Sequence, residues 1–581
     1  MTARSRGARW LTLAGVIALA GASVGLFFVS RGKWSDAIID SGREWIVPDA
    51  LARGDLLYRD VVYWFGPFTP YFHAAFFRVF GSSFATLVLA GIVGSIGVLA
   101  ALYFALRAVT ERREAVLWTA LAIPALVLMP NAGGPILGMG YRIWHAAAFA
   151  LAAIALASKP RLDRRPILRA AGVGLLCALS GLCRTEWGLV ALAASSLAFW
   201  FGERSARERL PGALALGGAF LVLFGGTIGA FIAAAGWKAV VVDGHVLLTG
   251  LPAETRTFLV EFSGVRDWRS GVLELLYSAA TWTGGLLVLQ ILAIGGNDRA
   301  RVRGKLLLLG IALLVVVLCA SFGGAGGKVL FSAAPLVCAA AAVLALASRT
   351  PWSAGLLGFG IAGALLSYRR PFHIGDAAYV GPPLLFALVC AAGLLQRARD
   401  RESDLVVRER FRTYSATAVL LLVVLAFAGR YFLYASDDRV PIPGTRGMLS
   451  ALPQRVAELG SIARAVRRES RSGEGLIVFP EGELLNYLSG RVNPARHKLF
   501  IRGYLTGENE PEVLSDLERA SPAVLVVLPR RTSEYGPSAF GVDYGKKIRL
   551  WIEENYETRP LDRERPDPSR GILAVRRRAA G

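Results

Sequence analysis

DAIIDSGREWIVPDALARGDLLYRDVVYWFGPFTPYFHAAFFRVFGSS, residues 36–83, follows the first hydrophobic segment of the chain and decides how the rest is read. Six carboxylates (Asp36, Asp40, Glu44, Asp49, Asp55, Asp60) stand among Trp45, Tyr58, Tyr63, Trp64, Phe65 and Tyr71, wedged between two apolar runs. A connector between membrane spans would be shorter and poorer in aromatics, because long loops are mostly functional or disordered. This one is neither low in complexity nor simply charged. It reads as a folded, amphipathic shelf on the membrane surface and as the candidate site of chemistry.

Outward from the shelf, the composition sets the class. Of 581 residues, 54% are hydrophobic, and the mean hydropathy of +0.47 is too high for an ordinary soluble domain. A net charge of +22 raises the question of nucleic acid. The Lys and Arg residues, however, recur in short bursts between apolar runs, as residues that hold loops on the cytoplasmic side do, so no nucleic-acid partner is expected. Cys177, Cys183, Cys319, Cys338 and Cys390 all lie in or beside apolar runs with no Cys-x-x-Cys spacing, and read as small buried hydrophobes.

The basic N-terminus leads into an apolar run from about Trp10 to Ser30, long enough to cross a bilayer at roughly 20 residues and without an evident small-residue cleavage site. Further apolar segments begin near Phe84, Ala115, Trp144, Ala170, Trp187, Ala213, Gly271, Leu306, Leu330, Ser353, Ala378 and Ser415. The expectation is a polytopic α-helical membrane protein of about thirteen spans. Alternate loops, among them RAVTERRE, SKPRLDRRPILR and QRARDRESDLVVRERFRTY, carry most of the basic residues outside the tail. That pattern puts the N-terminus in the cytoplasm and leaves the shelf and the C-terminus outside.

From about residue 435 the composition turns soluble, which divides the chain into 1–434, with its loop 31–83, and 435–581. Leu449, Leu452, Val456, Leu459, Ile462 and Val466 recur at helical spacing. GLIVFP and AVLVVLPR read as buried strands, with helices at Glu483–Leu488, Glu510–Arg519 (Asn509 as its cap) and Tyr544–Tyr556, and a last strand near Ile572–Val575. The alternation predicts a small α/β domain with a mainly parallel sheet.

The shelf carries an ordered pattern: D-x-G-x-E, P-x-x-L-x-x-G-x-x-L-Y-x-D, then G-P-x-x-P-Y-x-x-A, ending F-G. Its residues are Asp40, Gly42, Glu44, Pro48, Leu51, Gly54, Leu57, Tyr58, Asp60, Gly66, Pro67, Pro70, Tyr71, Ala74, Phe80 and Gly81. This resembles the first external loop of the GT-C membrane glycosyltransferases, in particular the bacterial family-39, ArnT-like enzymes, which take a sugar from a polyprenyl-phosphate carrier. In the tail, N-Y-L-S-G-R-x-N-P-x-R (Asn486 to Arg496) and E-Y-G-x-x-x-F-G-x-D-Y (Glu534 to Tyr544) resemble the external C-terminal domain of some bacterial members. The resemblance implies a GT-C-like fold in a bacterial inner membrane. It also implies a polyprenyl-phosphate-linked sugar as donor, a glycan, lipid or protein acceptor, an inverting transfer and a catalytic Asp in this loop.

Such a transfer needs a carboxylate to take the acceptor proton and cationic groups to offset charge on the departing phosphate. Asp40 matches the family's Asp, and Glu44, four residues on, shares its face of a helix. ArnT-like enzymes often place Asp and Glu side by side, so which of the two is the base stays open. Asp36, Asp49 and Asp55 are expected to be solvated or capping. Tyr58, Arg59, Asp60 and Tyr71 are candidates for holding substrate. Arg184 and Glu186, in C-R-T-E-W, either pair locally or serve the site, and the planar fork of Arg184 suits phosphate. His245 in V-D-G-H-V is a further phosphate candidate. Arg369 and Arg370, in Y-R-R-P-F-H, either contact lipid phosphate or anchor in headgroups. No cofactor and no metal site is expected, since no well-spaced ligand set accompanies His245. Within enzymes, a glycan ligase or polymerase with a diphosphate-linked donor remains an alternative. From another class, a transporter or flippase would place ionisable residues mid-span, whereas here nearly all lie at span ends.

Overall fold

A computed structural model describes residues 3–36, 40–130, 133–138, 140–158, 166–202, 206–244, 253–262, 334–347, 353–367, 377–530, 539–561 and 571–576, with Arg269, Val272, Leu273 and Leu276. Among these, five helices are long and apolar enough to cross a membrane: Phe84–Arg107, Pro166–Cys183, Arg209–Ala235, Gly381–Asp400 and Leu405–Ala435. Gly15–Ser30, Tyr141–Ala157, Thr185–Phe201, Ala334–Leu346 and Ser353–Leu366 are shorter apolar helices packed into the same bundle or beside it. The segments expected near Gly271 and Leu306 lie outside the described residues.

The Phe84–Arg107 helix fixes the two ends of the bundle. Ser83 caps it, its hydroxyl accepting from the Thr86 amide, and its 24 residues rise about 36 Å. It begins beside the shelf, with Phe84 6.3 Å from the ring of Trp45. It ends at the basic loop, where Glu111 and Glu114 hold Arg399 from the Gly381–Asp400 helix. Two of the basic loops therefore meet at one end, and the shelf lies at the other.

The shelf folds as two helices, Asp40–Arg53 and Phe68–Phe80, tied by the Arg78 guanidinium, which donates to the Leu51 carbonyl at 2.9 Å. The first is buried on nearly every side, because the membrane body packs on one flank and the tail on another. Asp49, expected to be solvated, is instead buried and paired with Arg53 one turn on, since this helix is an inner element of the protein.

In the tail, β1 (Val440–Pro441) pairs antiparallel with β2 (Ser450–Ala451). The following helix starts only at Pro453, later than the hydrophobic periodicity suggested. Leu452 is held extended by the proline after it, and proline is suited to a first helical position. The main sheet has the order β3–β4–β6–β5, with β3 Leu476–Phe479, β4 Val524–Val527, β5 Tyr556–Pro560 and β6 Ile572–Arg576. Only β3 and β4 are parallel; β6 runs antiparallel to both neighbours. The expectation of a mainly parallel sheet is thus corrected: β5 follows its helix directly and pairs antiparallel with β6 at the sheet edge. β5 escaped the sequence reading because YETRP carries charge and is largely exposed at the sheet edge. Alternate residues face two layers, as period two requires. Ile477, Phe479, Leu525 and Val527 pack on Val513, Leu517, Ile548 and Ile552. Leu476, Val478, Val524 and Val526 belong instead to the core that runs through Leu459, Ile462 and Leu484 into Trp45 and Phe84. Asn509 precedes its helix as expected but does not cap it; its Oδ1 accepts from the Thr506 amide at 2.8 Å.

Candidate active site

Asp40 opens the first shelf helix, half-buried, and Glu44 follows one turn later. Glu44 is buried, and Arg142 Nη1 donates to its Oε1 at 3.2 Å. Loss of water pushes the Glu44 carboxyl up to about 7; the Arg142 and Arg43 charges pull against that, and the Asp40 charge adds to it. The helix is also broken in its own hydrogen bonding, because Pro48 offers no amide to the Glu44 carbonyl.

Arg142 comes from the Tyr141–Ala157 helix and lies face-on to Phe65, 3.7 Å from the ring centroid. Arg184 approaches the same ring at 5.3 Å. It occupies an extended residue between the Pro166–Cys183 and Thr185–Phe201 helices and is buried there. Its Nη2 is 2.5 Å from Glu186 Oε1, so it pairs locally and also faces the ring. The loop carrying Phe65 is seated at that break: a Cβ on Gly66 would stand 2.1 Å from the Leu182 carbonyl oxygen, a position only glycine can hold. Tyr58 Oη donates to the Phe65 carbonyl at 2.7 Å and fixes the loop from the other side. Tyr63 sits edge-on to Phe65, and burial pushes its phenol well up. Two guanidiniums, one from an apolar helix and one from the break between two others, therefore meet at one aromatic ring, and the first of them also holds Glu44 of the acidic helix. Arginine over an aromatic face keeps an in-plane edge able to bind oxygen.

The other candidates are turned to different work. Tyr58 is buried in a left-handed backbone conformation with its ring edge-on to Phe231. Asp60 accepts from the Leu56 amide at 2.8 Å and pairs with the exposed Arg59, which holds its carboxyl below the usual range. Tyr71 Oη accepts from the Leu57 amide at 3.4 Å. These residues build the L-Y-x-D turn, and from the tail Arg496 donates to the carbonyls of Tyr58 and Arg59. His245, Arg369 and Arg370 lie outside the described residues. Among the described residues no group of three His, Cys, Asp or Glu side chains is placed to hold a metal ion.

Sequence reasoning missed Arg142. An apolar segment that starts at Trp144 puts the arginine just before it, whereas the helix starts at Tyr141 and takes Arg142 into its first turn. The signal is a charged residue bordering an apolar run, which in a membrane protein tends to face the protein interior.

No protein-family model matches the sequence, and no curated protein matches it either. Solved structures match in fold. ArnT from Cupriavidus metallidurans, in a structure bound to undecaprenyl phosphate, superposes with a TM-score of 0.52 at 13% identity, covering 97% of this chain and 98% of that one. The chain has the GT-C fold. An oligosaccharyltransferase from Archaeoglobus fulgidus, in complex with zinc and sulfate, gives a TM-score of 0.49 at 14% identity, covering 96% of this chain and 73% of that one. The GT-C architecture and the apolar helices make this a multi-pass membrane protein.

Proposed function

We propose that this GT-C chain is a glycosyltransferase that moves a sugar from a polyprenyl phosphate to a hydroxyl of a lipid, glycan or protein. One observation carries the reading: Glu44 pairs with Arg142, Arg142 and Arg184 share the ring of Phe65, and Asp40 stands one turn before Glu44, all at the shelf end of the bundle, where a lipid phosphate would lie. That an ArnT of the same fold was solved with undecaprenyl phosphate supports the same class of carrier here. The basic loops at the opposite end belong in the cytoplasm by their charge, so the shelf and tail face outward.

In the step, the acceptor oxygen bonds to the anomeric carbon as the bond from that carbon to the phosphate oxygen breaks. The electron pair leaves with the polyprenyl phosphate, whose charge Arg142 and Arg184 offset. The hydroxyl proton passes to Asp40. Glu44, buried and paired with Arg142, is suited to aim that cation, and Asp40, half-buried at the start of the helix, is the proposed base. Attack opposite the leaving phosphate inverts the anomeric centre. The step as written calls for no cofactor.

The test is transfer by the full chain in proteoliposomes supplied with a panel of labelled polyprenyl-phosphate sugars. Asp40→Asn is expected to lower transfer by about 10²- to 10⁴-fold at normal folding. Transfer at the wild-type rate would remove Asp40 as base. Mass analysis of envelope lipids and glycans in a deletion strain names the sugar and acceptor.

A further inference from the structure

The tail does more than adjoin the shelf; it grips the helix that carries Asp40 and Glu44. Gly42, between those two carboxylates in sequence, packs backbone to backbone on the tail: a Cβ there would stand 2.3 Å from the Leu484 amide nitrogen. Next to it, Arg43 Nη2 lies 2.8 Å from Glu481 Oε2. Glu481 is fully buried just past the end of β3, and its other oxygen is held by Arg530 of the tail. One turn along the helix, Trp45 meets the ring of Tyr487 edge-on at 5.2 Å. Glu483 is buried beside the same arginine, with one carboxylate oxygen lacking a hydrogen-bond partner. Backbone contact, an ion pair to a buried carboxylate and a ring contact thus fall on Gly42, Arg43 and Trp45, which flank Glu44 on both sides.

We propose that Glu481 is a positioning residue for glycosyl transfer: through Arg43 it fixes the rotation and depth of the Asp40–Arg53 helix, so the C-terminal domain is part of the catalytic apparatus. The inference rests on the function proposed above. A carboxylate held between one arginine of each partner transmits the rigidity of the β3 end to the helix. The Gly42 seat leaves that helix no room to slide. Catalytic geometry is sensitive to shifts of about 1 Å, which cost about 100-fold in rate.

The experiment uses the full chain in proteoliposomes with a labelled polyprenyl-phosphate sugar. Glu481→Gln and Arg43→Ala are each expected to lower kcat about 100-fold, with donor KM unchanged within about twofold. The double variant should lose no more than either single, because the two act through one contact. Arg43→Lys should recover most of the rate. Losses that multiply in the double variant, or a change confined to KM, would overturn the proposal. Hydrogen exchange provides a readout independent of activity: Glu481→Gln should deprotect the amides of Asp40–Arg53 while β3 and β4 stay protected. Equal deprotection of the sheet would reduce Glu481 to a folding residue and sink the inference. Should the wild-type chain transfer no sugar, the glycosyltransferase reading fails instead, and hydrogen exchange still decides whether Glu481 holds the helix.

Discussion

The two ends of the membrane body each bind an arginine to carboxylates from distant parts of the chain, and they do so in different ways. At the basic end, Arg399 meets Glu111 and Glu114, and Arg412 adds a second cation at 3.6 Å. Arg399 is itself only 3% exposed and Glu114 13%, but Glu111 is 44% exposed, so water reaches one rim of the cluster. At the shelf end, Arg142 and Glu44 are 5% and 9% exposed, and their neighbours are aromatic rings. A cluster with one carboxylate open to water keeps part of its hydration while it fastens two loops. A dry pair gives up hydration that its attraction only partly restores, so it is a poor way to add stability. What it leaves is a preset electric field at a place where a lipid phosphate can arrive, and that is the use proposed for it.

Breaking each pair should expose the contrast. Arg142→Met is expected to lower sugar transfer by about 100-fold or more, and to cost about 3–5 kcal/mol by leaving Glu44 buried without that cation. Adding Glu44→Gln should restore most of the stability and none of the transfer, measured by thermal unfolding and by labelled-sugar assays. Arg399→Met should cost about 3 kcal/mol, because it leaves the mostly buried Glu114 without its cation, and leave transfer unchanged. If the double variant at the shelf regains activity, the dry pair is structural and the contrast collapses.

Acidity sharpens the same comparison. The Glu44 carboxyl is raised from its ordinary 4.5 to about 7, so the folded state prefers it protonated. Its contribution to stability is complete below about 4.5 and is lost as pH rises through about 7, by up to about 3 kcal/mol. Glu483, also pushed up to about 7 by burial, adds a loss of the same sign. The slope of unfolding free energy against pH between 5 and 8 should therefore be more positive in Glu44→Gln than in the wild type, and more positive again when Glu483→Gln is added. A slope unaltered by Glu44→Gln would show that Glu44 is well solvated. The smallest effect expected is at the tail contact: Trp64 and Tyr504 stack at 3.6 Å, and Tyr504→Ala should cost about 1 kcal/mol.

The shelf was legible because its pattern is local. Asp40 and Glu44 are four apart, and the ordered G-P-x-x-P-Y and F-G pieces lie in one stretch. The apolar segments beginning near Phe84, Ala170 and Ser415 were legible from hydropathy alone and appear as the Phe84–Arg107, Pro166–Cys183 and Leu405–Ala435 helices. The partners of the shelf were not legible, because Glu44 meets Arg142 and Arg43 meets Glu481 across 98 and 438 residues. No periodicity encodes such pairings. Burial of Asp49 was missed for the same reason: a charged helix reads as exposed until the domain that covers it is in place. The antiparallel direction of β6 was hidden because its edge partner β5 carries charge and does not read as a strand.

The central claim is that a lipid-linked phosphate binds at the dry, arginine-bearing end. The most direct measurement is an experimental density map of the full protein in lipid nanodiscs with polyprenyl phosphate added. The account predicts phosphate density within hydrogen-bonding reach of Arg142 and Arg184, beside the ring of Phe65. Phosphate density at Arg399 and the basic loops, with the shelf end vacant, would contradict it.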